Sequence, residues 1–153
     1  MNSRAPLLLL LAWALALGGC DSLGLDGEPQ QLLLELDASG TDRVALITST
    51  EWVYAPDPAC EPGAQGCPEV VRVLAADSAD VAVPLRRTLR FTQSRKFFIE
   101  VYPRGGVIAT VAMRIEIDGK EWYHEARELT PTGDAGAQAT LQFVYQWRQP
   151  RIP

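Results

Sequence analysis

The stretch Val107–Ile117 repeats every two residues. Its odd positions, Val107, Ala109, Val111, Met113, Ile115 and Ile117, are all apolar, and its even positions end in Arg114 and Glu116. Strict alternation puts one set of side chains on a buried face of a β-strand and the other toward water, where a helix would need apolar residues three and four apart. The next two residues, Asp118-Gly119, are the strongest hairpin signal in the chain, because a type I′ turn needs positive φ at both central positions. Trp122-Tyr123-His124 starts the return strand. A two-residue loop sets Trp122 opposite Ile115, His124 opposite Met113 and Glu121 opposite Glu116. The last is a like-charge pair and mildly unfavourable, so a longer loop with a bulge stays open.

The same period recurs along the chain. Leu32, Leu34 and Leu36 alternate with Leu33, Glu35 and Asp37, and Ser39-Gly40 turns the chain. Val44, Leu46 and Thr48 share a side in the next strand; parity breaks near Ser49-Thr50 and resumes at Trp52 and Tyr54. Val70 to Leu74 reads as a short strand and Asp77-Ser78-Ala79-Asp80 as a polar turn. Val81, Val83, Leu85, Leu89 and Phe91 share odd parity, with Pro84 marking an edge or a bulge in that strand. Phe97, Ile99 and Val101, and finally Leu141, Phe143, Tyr145 and Trp147, alternate in the same way. No window favours helical spacing. Seven or eight short strands in one domain predict an all-β fold, a single antiparallel β-sandwich of immunoglobulin-like architecture. The long strand 107–117 and its hairpin keep a closed barrel as the alternative.

The front of the chain is different. Arg4 precedes an apolar run, Leu7 to Leu17, and Gly18-Gly19 lead to Cys20. Eleven apolar residues fall short of the ~20 a membrane-spanning helix requires but suit an export signal. Leu17-Gly18-Gly19-Cys20 resembles the lipobox of bacterial lipoproteins, in which the cysteine is lipidated and becomes the mature N-terminus. The expected organisation is a signal peptide over 1–19, removed; a lipidated N-terminus and tether over 20–30; the sandwich over 31–149; and a disordered tail over 150–153. Gly24, Gly27 and Pro29 break any periodicity in the tether, whose last ten residues reach about 35 Å when extended. The expected location is the cell envelope, anchored by N-terminal lipid on an extracytoplasmic membrane face.

Two further cysteines, Cys60 and Cys67, flank a turn-rich segment and form an even pair suited to an oxidising compartment. A structural disulfide is expected; the spacing is not CxxC and no histidine lies nearby to make a metal site. Loss of Arg4 with the signal leaves 13 of the 14 basic residues against 19 acidic ones, a net charge of −6. That balance argues against nucleic acid as a partner. Within it, Arg86, Arg87, Arg90, Arg95 and Lys96 fall inside 11 positions. They read either as a patch for an anionic ligand or partner or as a solvated edge strand whose charges discourage aggregation.

Val81-Ala82-Val83-Pro84-Leu85, Thr88, the Gly105-Gly106 turn and Ile115-Glu116-Ile117-Asp118-Gly119-Lys120 resemble the extracytoplasmic domain of MmpS-type membrane proteins. Those are small accessory partners of RND-like lipid and siderophore exporters. The resemblance covers roughly residues 80–126 and implies a β-sandwich serving an envelope complex. This chain has Leu85 where that family has tryptophan, and a lipobox where it has a transmembrane anchor.

Catalytic patterns are sparse. His124 is the single histidine, and no G-x-S-x-G context accompanies it. His124 with Glu125 or Glu128 makes a poor metal set, since those neighbours are expected to point to different faces or lie on loops. Glu116 and Glu121 as a carboxylate pair read more simply as a solvated strand face. No enzyme activity, cofactor or metal is expected. The leading reading is a lipid-anchored interaction module, an accessory or adaptor subunit of an envelope complex with an envelope protein as partner. The alternative is a ligand-binding sandwich for an envelope glycan or lipid, which would show a concave pocket with exposed aromatics; Trp52, Tyr54, Phe98 and Tyr102 lie near loop ends.

Overall fold

The computed structural model describes residues 27–61, 66–130 and 140–148. The export signal, Cys20, residues 21–26, most of the 130–138 loop and the 150–153 tail lie outside the described residues. Eight strands follow in order: β1 (Gln31–Ser39), β2 (Arg43–Pro56), β3 (Glu69–Ala82), β4 (Leu85–Arg90), β5 (Lys96–Pro103), β6 (Ala109–Ile117), β7 (Lys120–Leu129) and β8 (Leu141–Gln146). They form two four-stranded antiparallel sheets, β4-β1-β6-β7 and β3-β2-β5-β8. The sheets face each other, so the molecule is an antiparallel β-sandwich, and its likeness to immunoglobulin domains is one of architecture. Two separate sheets set aside the closed barrel.

The alternation holds where both neighbours of a strand are present. Leu32, Leu34 and Leu36 of β1 and Val111, Met113, Ile115 and Ile117 of β6 are buried, with Val44, Leu46, Ile99, Val101, Leu141 and Phe143 facing them from the other sheet. Gly40 turns β1 into β2 at φ +91, where a Cβ would meet the Ile108 carbonyl oxygen at 3.0 Å. Only glycine fits there.

The parity break in β2 is a bulge with a visible cause. The register slips between Thr48 and Glu51 and again before Trp52. Buried Ser49 holds the slip: its hydroxyl accepts from the Glu51 N–H (2.9 Å) and donates to the Ala75 carbonyl (2.5 Å). Beyond the bulge β2 pairs with β3 alone, since its pairing with β5 ends at Ser49. The result is a two-stranded ribbon, closed near its tip by the Cys60–Cys67 disulfide. Trp52 and Phe98 are buried but stand outside the main core. Phe98 lies between core-facing Phe97 and Ile99, so both rings cover the outer face of their sheet.

Three expectations are corrected. Asp77–Asp80 is not a turn: β3 runs through it, with Asp77 opposite Thr48 and Asp80 opposite Ala45. β3 is an edge strand exposed from Leu74 to Asp80, so no buried face demands apolar residues there. The Val81–Phe91 stretch is not one strand. A cis Val83–Pro84 bond lies where the chain leaves β3 in one sheet and enters β4 in the other. Val107 and Ile108 precede β6 and are exposed. In addition, residues 27–30 are held against the domain: Pro29 is buried, and the Asp118 carboxylate accepts the Gln30 and Gln31 amides at 3.0–3.2 Å.

Candidate functional site

The site grows out of the β6–β7 hairpin. Asp118 and Gly119 adopt φ of +49 and +82, as a two-residue hairpin loop requires. The short loop sets Glu116 opposite Glu121. The like charges are reconciled by Arg114, whose guanidinium reaches Glu116 (2.6 Å), Glu121 (2.6 Å) and Glu35 (3.0 Å). The hydrogen bond from Arg114 holds the Glu121 carboxyl below its usual range, and Glu121 and Glu35 in turn raise Arg114. One residue later the register slips, so Tyr123 faces Ile115 and His124 faces Arg114 in place of Met113. Trp122 is the extra residue. Bulges re-aim side chains in this way.

Trp122 swings toward the neighbouring sheet and meets Tyr145 edge-on, ring centroids 5.1 Å apart, while staying 45% exposed. Tyr123 packs beside Phe143 at 5.6 Å, and Phe143 stacks with Tyr145. The Tyr123 hydroxyl donates to Glu125 at 2.6 Å. Burial and then that bond raise the Tyr123 pKa, and the same bond lowers Glu125. Tyr123 therefore offers its ring, its hydroxyl being engaged.

A cleft of about 1120 Å³ lies between the β6–β7 hairpin and β8. Trp122, Tyr123, Phe143, Tyr145 and Trp147 form its aromatic wall. Gln142, Gln146, Lys120 and Arg148 contribute polar groups, and Gly27 and Pro29 close one end. That end is fixed by Arg95, which pairs with Glu28, stacks on Trp147 at 4.7 Å and accepts the Trp147 N–H on its carbonyl at 3.1 Å. Aromatic walls with a few polar groups at the mouth suit binding of a partly apolar ligand.

The residues singled out from sequence are distributed differently. Arg86, Arg87 and Arg90 lie on β4, an edge strand, all exposed. Arg86 pairs with Glu35 at 3.3 Å, continuing the Arg114 network across all four strands of its sheet. Arg95 sits in the β4–β5 turn, and Lys96, on the other sheet, lies over the Trp52 ring at 5.0 Å. The five cations do not form one patch. His124 is exposed on the outer face, lining a shallow depression with Glu35, Arg86 and Arg114. Cys60 and Cys67 are bonded, with Cα atoms 6.2 Å apart. Among the described residues no three of His, Cys, Asp and Glu gather to hold a metal, and no helix is long and apolar enough to cross a membrane. Of the four aromatics expected near loop ends, Trp52 and Phe98 are buried, Tyr54 is exposed on the ribbon and Tyr102 lies under Arg104. The cleft residues were legible only as strand alternation; the Glu116–Glu121 clash was the one hint of the bulge that turns Trp122.

Comparison with protein-family models, with curated proteins and with solved structures finds no match for this chain.

Proposed function

We propose that this chain is a lipid-anchored extracytoplasmic interaction module, an accessory or adaptor subunit of a cell-envelope complex, that receives its partner in the cleft between the β6–β7 hairpin and β8. Anchoring rests on the lipobox-like Leu17–Cys20 and on the paired Cys60 and Cys67, which fit an oxidising compartment. The observation that carries the docking site is Trp122: a bulge lifts a large indole out of its strand and leaves it 45% exposed at the mouth of an aromatic cleft. Half-exposed tryptophans in concave sites are typical binding anchors.

A second reading, binding of an envelope glycan or lipid, is favoured by the same indole beside the Gln142 and Gln146 amides. Crosslinked pull-down of the lipidated protein from native membranes tests the first reading. A specific protein should be captured by the wild type and by an Arg86→Ala/Arg87→Ala/Arg90→Ala variant, and lost with Trp122→Ala. Loss with the arginine variant alone moves the docking site to the β4 edge. Capture of no protein by any version turns the search to glycans and lipids.

A further inference from the structure

Each sheet ends in two edge strands, and three of the four are guarded. β4 exposes Arg86, Arg87 and Arg90. β3 exposes Arg72, Asp77 and Asp80 and is interrupted by the register slips beside the Ser49 bulge. β7 carries its own bulge at Trp122, and its Glu125 and Arg127 fall on the same side as buried Leu129, as inward-pointing charges. Charges and bulges of this kind keep an edge from pairing with another chain. β8 has none of them. Leu141-Gln142-Phe143-Val144-Tyr145-Gln146 holds no charge, proline or glycine and pairs with β5 without a slip. Among the described residues it has no strand on its other side.

The phase of the ladder decides which groups that edge presents. The Trp147 N–H donates to the Arg95 carbonyl at 3.1 Å, in line with the β5–β8 register. In an antiparallel ladder every second residue bonds a given neighbour. Leu141, Phe143 and Tyr145 therefore bond β5, and Gln142, Val144 and Gln146 turn their N–H and C=O groups to the open side. Gln142-Phe143-Val144-Tyr145-Gln146 runs amide, aromatic, valine, aromatic, amide in either direction. A second β8 laid antiparallel with Val144 on a two-fold axis sets Val144 opposite Val144, Gln142 opposite Gln146 and Phe143 opposite Tyr145. Each residue then meets one of its own chemistry, as a self-complementary interface requires. On the outer face, the flanking rows read Lys96, Gln146, Gln142 of the second copy and Glu100 of the second copy, with opposite charges at the two ends.

We propose that two copies of this chain associate through β8, edge to edge and antiparallel about Val144, joining their β3-β2-β5-β8 sheets into one. Gln142, Val144 and Gln146 each exchange both main-chain hydrogen bonds with the residue they face. The inference goes beyond the cleft reading and does not rest on it: a dimer through β8 stands whether or not Trp122 receives another protein.

Disulfide trapping in the full chain, in its own membranes, tests this. Val144→Cys should form a dimer under mild oxidation, because the Cα atoms of a hydrogen-bonded antiparallel pair lie about 5.5 Å apart, within reach of a disulfide. Gln142→Cys and Gln146→Cys should each form none alone, since each lies roughly 14 Å along the strand from its own counterpart. Coexpressed, those two variants should crosslink to each other. Both positions are exposed, so the mixed pair tests the register even where Val144→Cys disturbs folding. Absence of a dimer from both Val144→Cys and the mixed pair overturns the proposal. So does a dimer as abundant from Gln142→Cys alone, or from Thr88→Cys on the exposed β4 edge, since random collision then accounts for the bond. Crosslinking of Val144→Cys to a different protein also overturns it, since a partner's strand then fills the edge.

Discussion

The two sides of the sandwich are closed in different ways. On one side the chain passes from β3 to β4 through Val83 and Pro84 alone, so one edge of each sheet is pinned to the other by two residues. On the opposite side β7 and β8 are joined through residues 130–140, eleven residues. Two residues leave the edges they join little room to separate. Aromatic side chains fill the second side, where aliphatic ones suffice in the centre, and the filling is incomplete, which is the cleft. The cleft thus lies on the side away from the short β3–β4 link.

The sharpest test of that contrast is stability. Leu36, 2% exposed and paired with Leu85 of β4 and Met113 of β6, sits toward the pinned side. Leu36→Ala should cost about 2–5 kcal/mol in urea unfolding, through lost burial and a cavity with little room to collapse. A comparable loss from Trp122→Ala would erase the distinction. The stapled ribbon is intermediate: Cys60→Ala/Cys67→Ala should cost about 2–3 kcal/mol by the loop-entropy estimate, with proteolysis appearing first between residues 56 and 69. Trp122→Ala should cost less than about 1 kcal/mol while abolishing partner capture, because a half-exposed ring on a bulge carries little of the core.

The smallest effects are electrostatic and belong to the cleft side. Glu121 and Glu125 have lowered pKa values, so their contribution is present above the ordinary value of 4.5 and is lost as pH falls through their folded values. Urea midpoints should therefore fall less steeply below about pH 4.5 in Glu121→Gln/Glu125→Gln than in wild type. Tyr123 behaves oppositely. Its raised pKa means that folding favours the neutral phenol, a contribution complete below the ordinary value of 10.0 and lost as pH rises above it. Tyr123→Phe should lack that alkaline loss.

Sequence patterning revealed strands with one face in the core along most of their length. β1, β6 and β8 alternate cleanly for that reason. β3 was obscured because an exposed edge accepts Asp77 and Asp80 as readily as valine. The Ser49 bulge left a trace, a break in parity, and the Trp122 bulge a fainter one, the Glu116–Glu121 pair, whereas the gathering of Glu35, Glu116 and Glu121 around Arg114 is visible only in space. The cleft was invisible for the same reason: its wall combines Trp122 and Tyr123 with Phe143, Tyr145 and Trp147, some twenty positions away. The arginine cluster shows the converse. Proximity along the chain did not survive a turn that sends Lys96 into the other sheet.

The strand order also has a consequence for how the chain comes into being. β1 is made first, yet its two neighbours are β4 and β6: Leu32 waits for Leu89 and for Ile117. The most leucine-rich strand of the molecule is thus the earliest to emerge, and it is flanked on both sides only after β4 and then β6 have followed. Contacts so distant in sequence are slow to form and leave an unpaired apolar strand in the meantime. Cys60 and Cys67, by contrast, are seven residues apart and can meet as soon as both have emerged. The outlying ribbon can therefore be closed by contacts near in sequence, whereas the centre needs β1 and β6, far apart along the chain.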